Sequence, residues 1–333
     1  MEMNTIDKQI NPQSILSVIS ASHIGPSLVL DQDAHWKENE LPLNADRLVN
    51  EVMGQPMRRA GRFIKMVACG GLSCLKKVSP GYLNGKKTGI FLATGLGNVD
   101  EIMPFITEVF KKGGGFPSPN QFANSVSNAA AFVLARICEV TGTVLTISQE
   151  ELSFETALWM AQGYLESGQI ELALVGGCDI FTPTVEEYRE RVNLSDKNSR
   201  EFPMGEGSSW LLLGRDEQEN IGDILAVGFS DKSRVSEDGS SNVGRIAGMI
   251  PQDNETLKKN RILLPGFRMK KTAADDWRQH GWRVEDYLPC CGIHSTAAAF
   301  GIARTLQEKS NTLFLHYNGQ TSDRQAFVLG TTK

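Results

Sequence analysis

Runs of four or five mostly apolar residues, closed by glycine or turn formers, recur at 15–19, 89–93, 144–147, 172–175, 210–213, 224–227, 261–264 and 312–315. They are too short for helices and lack strict alternation, so they read as strands buried on both faces. Between them the apolar positions take helical spacing, at 99–112, 125–139, 152–167 and 295–308. Strands alternating with helices predict a mixed or parallel sheet covered on both sides, hence an α/β fold of stacked layers. The polar stretch 215–220 predicts a hinge between an N-terminal half, 1–215, and a C-terminal half, 222–333. Residues 230–260, almost without apolar periodicity, predict a long loop region.

An internal echo points to duplication. Ala129-Ala130-Ala131-Phe132-Val133-Leu134-Ala135-Arg136 matches Ala297-Ala298-Ala299-Phe300-Gly301-Ile302-Ala303-Arg304 in six of eight places. A short gap and a similar apolar run follow each octet, Thr143-Val144-Leu145-Thr146 against Thr312-Leu313-Phe314-Leu315. An Ala-rich octet also arises by chance from helical composition, and the second matching segment is what favours a repeat.

Composition narrows the class. The 333 residues carry a formal charge of −5 with 41% hydrophobic and 22% charged residues, which excludes disordered and fibrous chains. Lysines and arginines never run beyond a pair, which argues against a nucleic-acid or polybasic membrane surface. No window of eighteen apolar residues exists and the first ten residues lack the apolar core of a signal peptide, so a cytoplasmic location is expected. The six cysteines are irregularly spaced with no CxxC pair, predicting reduced thiols and neither zinc nor a disulfide framework. Cys138, Cys178 and the adjacent Cys290-Cys291 read as packing residues, and Gly113-Gly114-Gly115, without a following lysine, reads as a turn.

The segment Thr146-Ile-Ser-Gln-Glu-Glu151-Leu-Ser-Phe-Glu-Thr-Ala157-Leu158 passes from a strand through a polar junction into a helix. Such junctions aim a side chain and free helix N–H groups at one point and favour negative charge there. Ser148 and Glu151 also have the spacing of a capping box, in which Ser148 caps the helix and Glu151 reaches back to the cap N–H.

Around that junction stand Phe122-Ala-Asn-Ser-Val-Ser-Asn128, Leu174-Val-Gly-Gly-Cys-Asp179 with Thr182-Pro183, and Pro203-Met-Gly-Glu-Gly-Ser208 with Trp210-Leu-Leu-Leu213. In this order, across about 90 to 215, they resemble the N-terminal half of a β-ketoacyl synthase. The resemblance implies a thiolase-like, duplicated five-layered α-β-α-β-α fold, here with a shortened C-terminal half, and a triad of one cysteine and two histidines. Glu151 occupies the place of the nucleophilic cysteine, and a carboxylate there would give an anhydride and not a stable thioester. The strand end that would carry the first histidine reads Leu264-Pro-Gly-Phe267-Arg-Met, so that histidine, near Phe267, is absent. The second is matched by His294 in Gly292-Ile-His-Ser-Thr296, with one residue inserted; beside Ser295 and Thr296 it reads as a hydrogen-bonded relic. The family's last glycine-rich loop is degraded to Asn318-Gly-Gln-Thr-Ser-Asp323.

With two of three triad positions lost, the chain resembles a chain length factor of type II polyketide synthases. That resemblance implies a heterodimer with an active β-ketoacyl synthase, an acyl carrier protein bringing malonyl or polyketide chains, and no cofactor or metal. It implies a tunnel wall from the helical stripe Ile102, Phe105, Ile106, Val109 and Phe110, which plain core packing would explain equally well. It also implies an interface through Phe116, Phe122, Asn124 and Asn128. The competing expectations are a self-sufficient malonyl-thioester decarboxylase or acyltransferase using Glu151 or His294, and the partner of an aryl polyene ketosynthase.

Overall fold

A computed structural model describes residues 15–26, 29–30, 36–37, 41–111, 118–182, 202–231, 259–269, 271–319 and 324–333. Ten strands form the main sheet: β1 (Leu16–Ile24), β2 (Thr88–Ala93), β3 (Val144–Ile147), β4 (Leu172–Asp179), β5 (Gly207–Gly214), β6 (Gly222–Asp231), β7 (Arg261–Pro265), β8 (Arg283–Val284), β9 (Leu313–Gly319) and β10 (Arg324–Thr332). Val29–Leu30 and Trp36–Lys37 pair as a separate ribbon. The helices are α1 (Ala45–Met53), α2 (Arg62–Leu75), α3 (Val99–Lys111), α4 (Pro119–Ser125), α5 (Ala129–Ile137), α6 (Ser153–Glu166), α7 (Lys271–Gln279), α8 (Leu288–Cys291) and α9 (Ala297–Glu308).

The sheet runs β8-β7-β9-β10-β6-β1-β5-β4-β2-β3. The first five strands are thus ordered β1-β5-β4-β2-β3 and the last five β6-β10-β9-β7-β8, which is one permutation used twice. Directions repeat too. The first strand of each set pairs antiparallel with the fifth and the fifth antiparallel with the fourth, while the fourth, second and third run parallel. The sets join where Leu16–Val18 of β1 pairs with Gly222–Ile224 of β6.

Side-chain alternation explains the layering, because neighbours on a strand face opposite sides. In β2, Phe91 and Ala93 enter one cluster and Ile90 and Leu92 another; in β4, Ala173 and Val175 part in the same way from Leu172 and Leu174. In β9, Phe314 joins the first cluster while Leu313 and Leu315 join a third. That shared first cluster contains the apolar faces of α6 and α9 and both strand sets, so these helices lie between the two sets. Helices α2 and α5 cover the outer face of the first set, and α7 with Trp277 and Trp282 covers the outer face of the second. Helix, sheet, helix, sheet, helix: the layers number five, as expected.

The alanine echo does not report this duplication. Its first octet lies on α5, between the second and third strands on the outer face, while its second lies on α9, between the third and fourth strands in the middle layer. The positional mate of α9 is α6. Both octets are alanine-rich because a helix lying flat on a sheet needs small residues there. The apolar stripe of α3 departs from core packing as well, since none of its residues is buried. Its packing partner is α4, where the rings of Phe105 and Phe122 stand 5.9 Å apart.

Most of the predicted loop at 230–260 falls outside the described residues, as do the glycine run 113–115, Phe116 and Pro183. The helix expected at 125–139 is broken, with Ser125 closing α4 and α5 starting at Ala129. No helix among the described residues is long and apolar enough to cross a membrane.

Candidate functional site

Strand β3 ends at Ile147 and α6 begins at Ser153, with a single 3-10 turn, Glu150–Leu152, between them. The capping box does not form. The Ser148 hydroxyl donates to the Gly95 carbonyl at 3.1 Å, and the Gln149 N–H is taken by Ser153 Oγ at 2.8 Å. Glu150 turns the chain with φ of 50°, a left-handed conformation that costs a non-glycine residue roughly 1 kcal/mol. This turn delivers the Glu151 side chain inward, where it is 2% exposed.

Glu151 meets Arg268, whose Nη2 stands 3.0 Å from Oε1. Arg268 follows the end of β7, directly after Phe267, so the strand end that lacks the first histidine instead supplies a guanidinium. The Glu151 position and the strand end at Phe267 are therefore brought together, as an ion pair across the two strand sets. Below the pair lies more buried polarity. Asn318 Nδ2 donates to the Glu151 carbonyl at 2.9 Å and lies 3.5 Å from Glu155 Oε1. Glu155 faces His316 Nδ1 at 3.5 Å, and His316 Nε2 lies 3.0 Å from the Tyr287 hydroxyl. Burial, reinforced by the Glu151 charge, pushes the Glu155 carboxyl up to about 8 against the opposing hydrogen bonds of its own backbone and Asn318. A carboxyl in that state is largely protonated at neutral pH.

His294 occupies a different pocket. Asp179, at the end of β4, is almost saturated: Oδ1 accepts from Thr94 Oγ1 at 3.0 Å and from the N–H groups of Gly95 and Leu96 at 2.8 and 3.3 Å. Its Oδ2 accepts from the Thr296 N–H and hydroxyl, both at 2.9 Å, and lies 3.8 Å from His294 Nδ1. Burial is the largest influence on Asp179 and acts to raise its pKa. The contacts with His294, the Gly95 N–H and Thr296 together outweigh it, so the carboxyl titrates below its usual range. The strand-end carboxylate thus ties the loop after β2 to the start of α9 and fixes His294 there. The ring is 3% exposed and lines a small cavity with Leu96, Ile180, Phe181, Thr182, Met204 and Gly205, with room for about one water molecule.

One wall of that cavity is held by Glu206, fully buried and bound on both oxygens by Arg62 and on Oε2 by the Phe181 N–H at 2.6 Å. Arg268, Asp179, Glu206 and the Glu155–His316 pair were not singled out by motif reading. The signal available was charge inside apolar context: Glu155 sits within a helix that is otherwise apolar on that face, and Arg268 directly follows an apolar strand.

The thiols behave as expected of packing residues. All six are free. Burial pushes Cys138 and Cys74 up to about 12, and Cys178 and Cys291 well above the usual thiol range. None stands at the start of α6. Of the residues expected at an interface, Phe122 and Asn128 are exposed, while Asn124 is buried and donates to the Arg59 carbonyl at 3.0 Å. Among the stripe residues of α3, Ile106 and Phe110 are exposed and Ile102, Phe105 and Val109 half-buried. Among the described residues no three His, Cys, Asp or Glu side chains gather to hold a metal ion.

No family model matches the sequence, and no curated protein does. Solved structures do. The ishigamide ketosynthase/chain length factor superposes with a TM-score of 0.70 at 13% identity, covering 95% of this chain and 99% of that one. This is the ketosynthase fold. A β-ketoacyl synthase from Burkholderia phymatum STM815 matches with a TM-score of 0.67 at 9% identity over 96% of this chain and 99% of that one. The AntDE:AntF complex, a type II polyketide synthase acyl carrier protein with its ketosynthase bound to the hexaketide, matches with a TM-score of 0.65 at 12% identity, covering 96% and 99%. Within this ketosynthase-like frame, the start of α6 holds the Glu151–Arg268 ion pair.

Proposed function

We propose that this chain is a non-condensing, ketosynthase-like subunit: a chain length factor that pairs with an active β-ketoacyl synthase in type II polyketide biosynthesis and shapes the acyl tunnel. The observation that carries the reading is the Glu151–Arg268 pair. At the helix start where the resemblance expects a thiol, there is a buried carboxylate already bound by a guanidinium. Such a group lacks the activating base and the soft, polarisable nucleophile that thioester chemistry uses.

The need for a partner is supported by the surface. Large apolar side chains are exposed together on α3, α4 and α5 and beside them: Met103, Ile106, Phe110 at 79%, Phe122, Val126 and Phe132 at 60%. Isolated exposed apolar residues are ordinary, but a cluster on adjacent helices marks an interaction surface. The outermost strand on this side, β3, offers an unpaired edge among the described residues, whereas the opposite edge is the two-residue β8, flanked by the Arg283–Glu285 ion pair. A ketosynthase seated over β3, α4 and α5 would bury Phe122 and Phe132. It would also bring Ile102, Phe105, Ile106, Val109 and Phe110 to the seam, where bulky rings limit the length of chain that fits. The acyl carrier protein would then deliver its cargo to the partner's thiol.

Co-expression with a ketosynthase encoded beside it tests the reading. The expected result is a stable heterodimer, condensing activity that survives Glu151→Gln, and a longer product from Phe110→Ala. A monodisperse homodimer that turns over malonyl or acyl thioesters alone, and loses that turnover in Glu151→Gln, would overturn it in favour of a self-sufficient enzyme.

A further inference from the structure

His23, near the end of β1, is half-buried beside α9, its ring packed edge-to-face on Phe300 with centres 5.0 Å apart. Gln307, in the last turn of α9, decides what its Nδ1 can do. Gln307 Oε1 accepts from the Lys77 ammonium, which has hydrogens to give and no lone pair to offer. Gln307 Nε2 gives one hydrogen to the Ala303 carbonyl at 3.2 Å, a group that only accepts. Both ends of the amide are thus oriented by partners of fixed sense, and its remaining hydrogen falls to His23 Nδ1, 3.0 Å away. A ring nitrogen that accepts carries no hydrogen, so the neutral imidazole keeps its own on Nε2.

The surroundings favour the neutral ring. Burial is the largest influence on His23 and lowers its pKa; Glu308 acts against it, and the cations Lys77 and Arg304 act with it, so the ring titrates below its ordinary 6.5. Glu308 and Arg304 stand on α9 and are bonded to each other at 2.8 Å, while Lys77 stands just past the end of α2. Protonation would set an Nδ1–H against the amide hydrogen of Gln307. The amide cannot turn over to meet it without setting its NH2 against the ammonium and its oxygen against the Ala303 carbonyl. Donor would face donor, and the bond would be lost.

We propose that Lys77, Gln307 and His23 form a pH-sensitive latch: while the imidazole is neutral it ties the end of α2 to the last turn of α9 and to β1, and protonation of His23 opens it. Helix α9 is then held at both ends, by Asp179 at Thr296 and by the latch at Gln307. The folded ring titrates below the unfolded one, so the contribution of the latch is whole above 6.5 and is lost as pH falls through the folded value. The latch lies apart from the Glu151–Arg268 pair and does not depend on the partner reading given above.

Nitrogen NMR of the full, uniformly labelled chain tests this. His23 is assigned through the Ser22–His23 step, the single Ser-His step in the sequence. At pH 7.5 the expected spectrum shows a pyridine-like Nδ1, a pyrrole-like Nε2, and a scalar coupling from Nδ1 to the Gln307 side-chain nitrogen across the hydrogen bond. On acidification the coupling should vanish at the midpoint of the His23 titration, which should lie below 6.5. A pyrrole-like Nδ1, no coupling at pH 7.5, or a midpoint at or above 6.5 overturns the proposal. Amide exchange then reads the opening. The Lys77 and Val78 N–H groups, bonded to the Cys74 and Leu75 carbonyls at 3.2 and 3.3 Å, should lose protection about threefold or more from pH 7.5 to pH 5 after division by intrinsic rates, and should show no such loss in Gln307→Leu. Equal protection at both pH values in the parent, or the same loss in the variant, overturns the latch.

Discussion

Replacing Glu155 by Gln asks what a fully buried carboxyl costs this fold. The group moves from an ordinary 4.5 to about 8 because burial penalises its charge, with the Glu151 charge acting in the same direction. Its folded pKa lies above its unfolded one, so between the two the folded state keeps a proton that the unfolded chain releases. Stability therefore falls as pH rises through this window, by about 1.4 kcal/mol per pH unit for one group. From pH 5 to 7.5 that amounts to roughly 3 kcal/mol, a large share of the 5–15 kcal/mol typical of a domain. Glutamine keeps an acceptor for Asn318 Nδ2, 3.5 Å away in the parent, and cannot ionise. Urea unfolding of both proteins at pH 5, 6, 7 and 7.5 should give nearly equal free energies at pH 5 and a gap of about 3 kcal/mol in favour of the variant at 7.5. Parallel profiles, or a variant less stable at every pH, would refute the reasoning. They would mean that Glu155 is ionised and held by an imidazolium at His316, whose Nδ1 is 3.5 Å away.

Three further outcomes follow from the packing and the ion pairs. Arg268→Met takes the guanidinium away from the buried Glu151 side chain and should cost about 3–5 kcal/mol in chemical unfolding, much of it regained when Glu151→Gln is added. Gly70→Ala would put a methyl 2.1 Å from Ser208 Oγ and 2.6 Å from the Trp210 ring, and should lower the melting temperature by an amount corresponding to about 1–3 kcal/mol or more. Gly163→Ala, on α6 with nothing within 4 Å of the new methyl, should raise stability by about 1 kcal/mol through helix propensity, and calorimetry of the two glycine variants separates the effects.

The sequence carried the local physics well. The strands at 89–93, 144–147, 172–175 and 210–213 are short apolar runs because both of their faces are covered, and each is a strand in the sheet. Helices α6 and α9 were readable for the same reason. Helix α2 was not, although nine of its residues are buried. Its Gly70-Gly71 step looks like a turn until Trp210 and Leu134 are seen packed within 3 Å of where their side chains would be.

At the site, the strand-to-helix junction and the missing thiol were legible as one local segment, Thr146–Leu158. What replaces the thiol was not, because Glu151 and Arg268 are 117 residues apart and belong to different strand sets. The same distance in sequence separates Asp179 from Thr296, the contact that fixes His294. Periodicity says that a face is apolar without saying what covers it. The α3 stripe met no core, and the alanine echo paired helices from different layers. A chain records which side of each element avoids water; only the closed fold decides which elements meet, and with them the charge state of Glu155 and the tautomer of His23.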